Sequence, residues 1–367
     1  MRDIIYQGPG GETLWREEDT LVLEFPRPRR TCSTSGLNGG IGEGMLAVFN
    51  QTCPPVDTAA DLPGGSVPAY LARIAAQRGL DPRRTTGLLT AAKQENAAVS
   101  CLSFRSLTVL AVATGGVDHN GGRPGDPAAY YEENGQFYLF PGTINIMLAV
   151  NASLPPPAML KAVITASEAK SGALLELLAP SCYSAELATG SGTDGIIIAA
   201  DPEAKLVLTD AGHHAKLGEL IGLTVREVVK KALALETGCT PERQLNVLAR
   251  LKRFGVDEEN LWRHFQGQYP GFSDQAGYRA AVQALASRAD LVAAVSCVIH
   301  LADQVRWGLL PVPEAWETAH RILQAAGLGM QPQAQGPAGG AGADRAFIEL
   351  VVSGFNHLVS KRVACPG

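Results

Sequence analysis

Short apolar runs of period two alternate with longer runs of helical period along residues 1–237, and beyond Gly238 only the helical period remains. Residues 3–25 read as short strands around Gly8-Pro9-Gly10-Gly11, with Leu21-Val22-Leu23 and Phe25 closing one of them before Pro26. Further strands are expected at 86–91, 98–103 and 106–114, at Met147-Leu148-Ala149-Val150, in the β-branched run Ile196-Ile197-Ile198-Ala199-Ala200, and at 205–209. Helical spacing predicts helices at 66–79, 157–178 and 214–235, the second entered through Pro155-Pro156-Pro157. Irregular strand spacing without a repeated βαβ rhythm argues against a barrel. The expected fold is α+β: a central mixed or largely antiparallel sheet flanked by helices, with a C-terminal helical extension.

That extension carries helical patterns near 257–266, 274–287, 289–304 and 313–326. A glycine-, proline- and glutamine-rich linker follows at 331–343, then a last helix at about 344–361. The domain expectation is therefore 1–237, 238–330, the linker, and 344–367.

Between the predicted elements of the first part lie polar, glycine-rich turns. They are Cys32-Ser33-Thr34-Ser35-Gly36-Leu37-Asn38-Gly39-Gly40, residues 115–126, Pro141-Gly142-Thr143-Ile144-Asn145-Ile146, Gly190-Ser191-Gly192-Thr193-Asp194-Gly195, and Asp210-Ala211-Gly212-His213-His214. Glycines let the backbone approach a ligand closely, and the hydroxyls, amides and carboxylates supply donors and acceptors.

On a helical wheel at about 100° per residue, Leu160, Val163, Ile164, Leu174, Leu175 and Leu178 share one face of the 157–178 helix, with Lys161, Thr165 and Glu176 opposite. Lys170 falls inside the apolar arc beside Ser167 and Ser171, with Glu168 at its edge. A buried ammonium needs a partner or a cleft, and Asp194 is the expected counterpart, within about 10 Å of Lys170. In the 214–235 helix Leu217, Ile221, Val225, Val228, Val229 and Ala232 form the apolar face, and Glu219 is expected to be solvated or salt-bridged. His214 is expected to turn from the start of that helix towards the polar turns, where the dipole favours its neutral form; His213 is not.

Composition narrows the function classes. The chain has 367 residues, 46% of them hydrophobic, and a formal charge of −5 with no basic run, so no nucleic-acid partner is expected. No apolar signal core or membrane-length stretch is present in the sequence, which points to a cytoplasmic protein with no membrane partner. Seven scattered cysteines without a CxxC pair fit reduced thiols rather than a disulfide framework or zinc clip. Asp118, His119 and Asp126 match no usual ligand spacing, so no metal site is expected.

The polar turns together resemble the adenosylcobinamide amidohydrolase family of corrinoid salvage. The resemblance rests on Ser33-Thr34 with Asn38-Gly39-Gly40, Gly87-Leu88-Leu89-Thr90-Ala91-Ala92, Ala113-Thr114 with Asn120 and Gly125-Asp126, and Gly142-Thr143-Ile144-Asn145-Ile146. It continues through Thr165-Ala166-Ser167-Glu168-Ala169-Lys170, Ala188-Thr189-Gly190-Ser191-Gly192-Thr193-Asp194 and the stretch from Gly212 to Gly222, covering roughly residues 20–237 in order. Ser167 and Ser191 stand where the family is expected to carry threonine, which keeps each hydroxyl.

The resemblance implies hydrolysis of the amide joining the corrin propionyl arm to aminopropanol, with cobalt belonging to the substrate and no cofactor required. Glu168, Lys170, Asp194, His214 and Thr193 are the candidate catalytic residues; Asn38, Gly39, Asn120, Asp126, Thr143, Asn145 and Ser191 are candidate substrate contacts. Water activated by Glu168 or His214, with Lys170 at the oxyanion and Asp194 orienting it, is the preferred mechanism; a Thr193 or Thr143 nucleophile is the rival. A non-catalytic corrinoid or tetrapyrrole binder and a hydrolase or acyltransferase of another amide are the alternative functions. The helical extension suits association into a homo-oligomer.

Overall fold

The computed structural model describes residues 2–131, 142–329, 337 and 342–364, and the chain divides into two compact units, Met1–Thr240 and Pro241–Gly367. In the first unit the elements run β1 (Asp3–Gln7), β2 (Thr13–Glu17), β3 (Thr20–Ser33), β4 (Gly40–Thr52), α1 (Val67–Gln77), β5 (Thr85–Thr90), β6 (Ala98–Phe104) and β7 (Leu107–Gly115). They continue with β8 (Gly121–Gly122), β9 (Ile144–Val150), α2 (Pro156–Glu176), β10 (Gly190–Ser191), β11 (Gly195–Ala200) and α3 (Lys216–Thr237). The main sheet has the order β1-β2-β3-β11-β9-β7-β6, with β4 and β5 added through β3. The β11–β9 and β4–β5 pairings are parallel and the remaining ones antiparallel, so the α+β expectation with a mixed sheet holds.

Period-two alternation sorts the central strands between two cores. Ile196, Ile198 and Ala200 of β11 and Ile144, Ile146, Leu148 and Val150 of β9 pack with α2 and α3. Ile197, Ala199, Met147 and Ala149 turn to the opposite face, against Leu23, Val48 and Leu110. Asn145 shares that second face, as does Asn50 of β4. Their buried amides are linked: Asn145 Nδ2 donates to Asn50 Oδ1 at 2.8 Å and to Leu89 O at 2.9 Å, while Asn50 Nδ2 donates to Thr114 Oγ1 at 2.7 Å.

The structure corrects four local expectations. The strand expected to stop before Pro26 continues to Ser33, because irregular pairing between Glu24 and Arg29 absorbs Pro26 and Pro28. β4, for which the sequence analysis carries no expectation, pairs with it along most of its length. Residues 205–209 form no strand; Val207 makes a single isolated bridge to Ser153. In α2, Leu160, Ile164 and Leu175 are exposed, whereas Ala158, Ala162, Thr165, Ala166, Ala169 and Ala173 are buried. Small side chains let this helix approach α3 and the sheet closely; Met159 and Leu174 are the larger apolar side chains that this face buries, and Leu160, Ile164 and Leu175 lie outside. Thr165, expected on the polar face, instead donates to Ala211 O at 2.8 Å. In α3 the predicted apolar face is buried as expected, and Glu219 is exposed and paired with Lys216.

The second unit is helical: α4 (Val247–Leu251), α5 (Glu258–Gln268), α6 (Gln275–Ala286), α7 (Ala289–Arg306), α8 (Val312–Ala325) and α9 (Ala343–Ala364). Its core joins Trp262, Phe265, Tyr278, Phe347 and Phe355. The fully buried Asn356 is satisfied there by Tyr278 Oη and Leu261 O. The linker expected at 331–343 lies almost wholly outside the described residues. Among the described residues no single helix is long and apolar enough to cross a membrane.

Candidate active site

Thr143 and Thr193 stand just before two adjacent parallel strands, β9 and β11, whose one-to-one register brings the two turns side by side. Their hydroxyls hydrogen-bond to each other, and Thr193 Oγ1 also donates to Gly142 O at 2.9 Å. A two-stranded ladder ties in the neighbouring loops: Gly190 pairs with Gly122 and Ser191 with Gly121. This brings Asn120 to Thr193, with Nδ2 3.4 Å from Oγ1.

The expected Lys170–Asp194 ion pair is present, and both side chains are 9% exposed. Asp194 is held on every side: Oδ1 accepts from Ile144 N at 2.8 Å and Ser191 Oγ at 2.7 Å, and Oδ2 from Lys170 and from Ser191 N at 2.9 Å. Ser191 Oγ is 3.3 Å from Thr193 Oγ1, so a chain of hydroxyls connects Thr193 to the carboxylate. Gly190 makes the pairing possible, since a Cβ there would come within 2.4 Å of Asp194 Oδ2 and 2.5 Å of Lys170 Nζ.

Two cavities meet at this cluster. One, of about 900 Å³, has an apolar wall of Pro54, Pro55, Val56, Val67, Pro68 and Leu71; the other, of about 550 Å³, is lined by Asn120, Arg123, Asp126, Ser167, Lys170 and Tyr183. Thr193 lines both, and both lie in the size range of small-molecule sites. Asn145 is on the wall of the larger one, where its buried Oδ1 has no hydrogen-bond partner. In the smaller one Asp126 accepts from Ser181 Oγ and Arg123 N. Burial acts to raise the Asp126 carboxyl, but the Ser184 and Ser181 hydroxyls and Arg123 outweigh it and hold the group below its usual range.

Several expected site residues lie elsewhere. α3 begins at Lys216, so His214 belongs to the exposed preceding loop and not to the first helical turn; it is His213 that pairs with Glu168. Glu168, two residues from Lys170 on α2, points away from the face that carries Ser167, Lys170 and Ser171, and lines neither cavity. Asn38 and Gly39 are also absent from the cavity walls. Asn38 Nδ2 donates to Pro82 O and Thr85 O, both at 2.7 Å, and a Cβ on Gly39 would lie 2.0 Å from Ser35 O. These residues shape the hairpin between β3 and β4. Asn38→Ala should therefore lower unfolding free energy by about 1–3 kcal/mol in urea titrations, with kcat/KM per folded molecule unchanged. An activity loss at full stability would return Asn38 to the substrate.

Two wall residues carried no signal in the sequence. Tyr183 sits in an aperiodic loop, and its hydroxyl donates to Asn120 Oδ1 at 2.7 Å. Cys53 lines the larger cavity, but burial pushes its thiol up to about 11, so it is not a thiolate at neutral pH. Among the described residues no group of three or more histidines, cysteines or carboxylates is clustered as a metal site.

A family model described as adenosylcobinamide amidohydrolase matches residues 6–241. An uncharacterized protein of Methanocaldococcus jannaschii is 33% identical over 234 residues, 59% of this chain and 86% of that protein. The adenosylcobinamide amidohydrolase of Halobacterium salinarum is 28% identical over 222 residues, 60% of this chain and 87% of that protein. Among solved structures, the L-aminopeptidase D-Ala-esterase/amidase of Ochrobactrum anthropi superposes over 69% of this chain and 90% of its own at 13% identity, with a TM-score of 0.31, too loose a correspondence to bear on the site.

Proposed function

We propose, from the premise that the chain belongs to the adenosylcobinamide amidohydrolase family, that it hydrolyses the amide between the corrin propionyl arm and aminopropanol, with Thr193 as nucleophile. The observation that carries this reading is the position of Thr193: its hydroxyl lies where the two cavities meet and is joined through Ser191 to the Asp194–Lys170 pair. The larger, partly apolar cavity suits the corrin ring, and the smaller polar one suits the amino alcohol. Activation of water by Glu168 or His214 finds no such support, because neither residue lines a cavity.

In this mechanism the Thr193 hydroxyl turns its hydrogen from Gly142 O to Ser191 Oγ, Oγ1 bonds to the amide carbon as the carbonyl π pair moves onto oxygen, and the hydroxyl proton passes through Ser191 Oγ to Asp194. Collapse re-forms the carbonyl and breaks the C–N bond, and the amine leaves with that proton. Water then attacks the threonyl ester and gives a proton to the same relay; the acid departs as Thr193 recovers its own. Lys170 holds Asp194 in line throughout.

Adenosylcobinamide incubated with the protein should yield adenosylcobyric acid and aminopropanol in equal amounts. Acid-quenched samples should carry the corrinoid acyl group on the peptide containing Thr193, read by mass spectrometry. Tight binding without released aminopropanol would sink the enzymatic reading in favour of a corrinoid-binding protein.

A further inference from the structure

Asn120 is 3% exposed, yet it lines the smaller cavity and reaches the reacting hydroxyl. Its amide is tied at both ends. Nδ2 donates to Gly142 O at 3.0 Å, and Oδ1 accepts from Tyr183 Oη at 2.7 Å. An amide nitrogen carries two hydrogens. The second has only the long 3.4 Å contact with Thr193 Oγ1, weak as a hydrogen bond and well placed for an oxygen that forms next to that atom. In the tetrahedral intermediate formed by attack of Thr193, Oγ1 and the oxyanion are bonded to one carbon, so a donor fixed beside Oγ1 is placed to reach that charge.

Building on the Thr193 reading, we infer that Asn120 is the side-chain donor to the tetrahedral oxyanion, and that Tyr183 is the positioning residue that keeps its Nδ2 turned towards the substrate. The loop holding Tyr183 is itself anchored to the site: Tyr183 N donates to Ser181 Oγ at 3.0 Å and Cys182 N to Gly121 O at 2.7 Å. Its ring packs where Gly122 leaves room, since a Cβ there would come within 3.0 Å of the ring. Burial, with Cys182 beside it, pushes the phenol above its ordinary value, so Tyr183 remains a donor across neutral pH. Without that hydroxyl Asn120 Oδ1 becomes a buried acceptor with no donor, and the amide loses one of the two contacts that oppose its rotation.

Steady-state kinetics on adenosylcobinamide separate this role from a structural one. Asn120→Ala, and the near-isosteric Asn120→Asp, should lower kcat by roughly 10²–10³-fold, the scale of a lost oxyanion donor. Tyr183→Phe should lower kcat by about tenfold with KM held within twofold. Because Tyr183 acts only through Asn120, the double variant N120A/Y183F should be no slower than N120A alone. Full kcat in Y183F, a loss confined to KM, or losses that multiply in the double variant would each overturn the assignment. Failure of the Thr193 reading shows elsewhere, in wild-type protein that turns over without an acyl group on Thr193 or does not turn over at all.

Discussion

Thr193→Ala should reduce release of aminopropanol from adenosylcobinamide by at least ~10³-fold, with the protein still folded and still able to bind the corrinoid. Losing the nucleophile of an acyl-transfer site typically leaves only the residual catalysis of bound, polarised substrate. Thr193→Ser should retain turnover within about tenfold, because the hydroxyl keeps its neighbours Ser191, Thr143 and Gly142 O. The decisive measurement is a single-turnover assay with acid quench. An alanine variant that still turns over at the wild-type rate would transfer the nucleophilic role to water or to Thr143.

The second large effect concerns the buried pair. Lys170→Met removes the cation from a carboxylate that is 9% exposed, and breaking such a pair on one side costs about 3–5 kcal/mol. Lys170→Met should therefore be strongly destabilised in guanidinium titrations and inactive at temperatures where the wild type works. The double variant K170M/D194N should recover much of the stability, since the unpaired charge has gone, while activity stays low because the carboxylate end of the relay is lost. Recovery of activity together with stability would confine the pair to a structural role.

Residues with strong local constraints could be read from the chain. The β-branched run of β11 and the apolar run of β9 stood out by composition, and Lys170 stood out because a cation fell inside an apolar arc. Its pairing with Asp194 followed from the cost of burying an ammonium alone. Features set by contact rather than period were not legible. The buried face of α2 consists mainly of alanines, which a scale of apolar size ranks below Leu160 and Ile164, yet closeness to α3 decides which face turns in. The histidine expectation failed on a boundary: moving the helix start from 214 to 216 takes His214 off the helix altogether. Asn38 and Gly39 had the residue types of ligand contacts, but their polar groups and spacing are consumed by the hairpin. Tyr183 has no periodic neighbours, and long-range ties such as the pairing of Gly122 with Gly190 and the bond from Cys182 N to Gly121 O bring its loop to Asn120.

The parallel register of β9 and β11 has an evolutionary consequence. Asn145 faces Gly195 in the middle of the sheet, so Thr143 and Thr193 are carried by two strands that cannot slide without undoing the central ladder. The cavity walls formed by Pro54-Pro55-Val56 on one side and by Arg123, Pro124 and Asp126 on the other lie outside the main sheet. Substitutions there can alter which acyl arm and which amine are admitted while the paired hydroxyls keep their places. On the proposed mechanism, drift at the rim is a route by which a lineage of such proteins changes its substrate with the Thr143–Thr193 pair inherited intact.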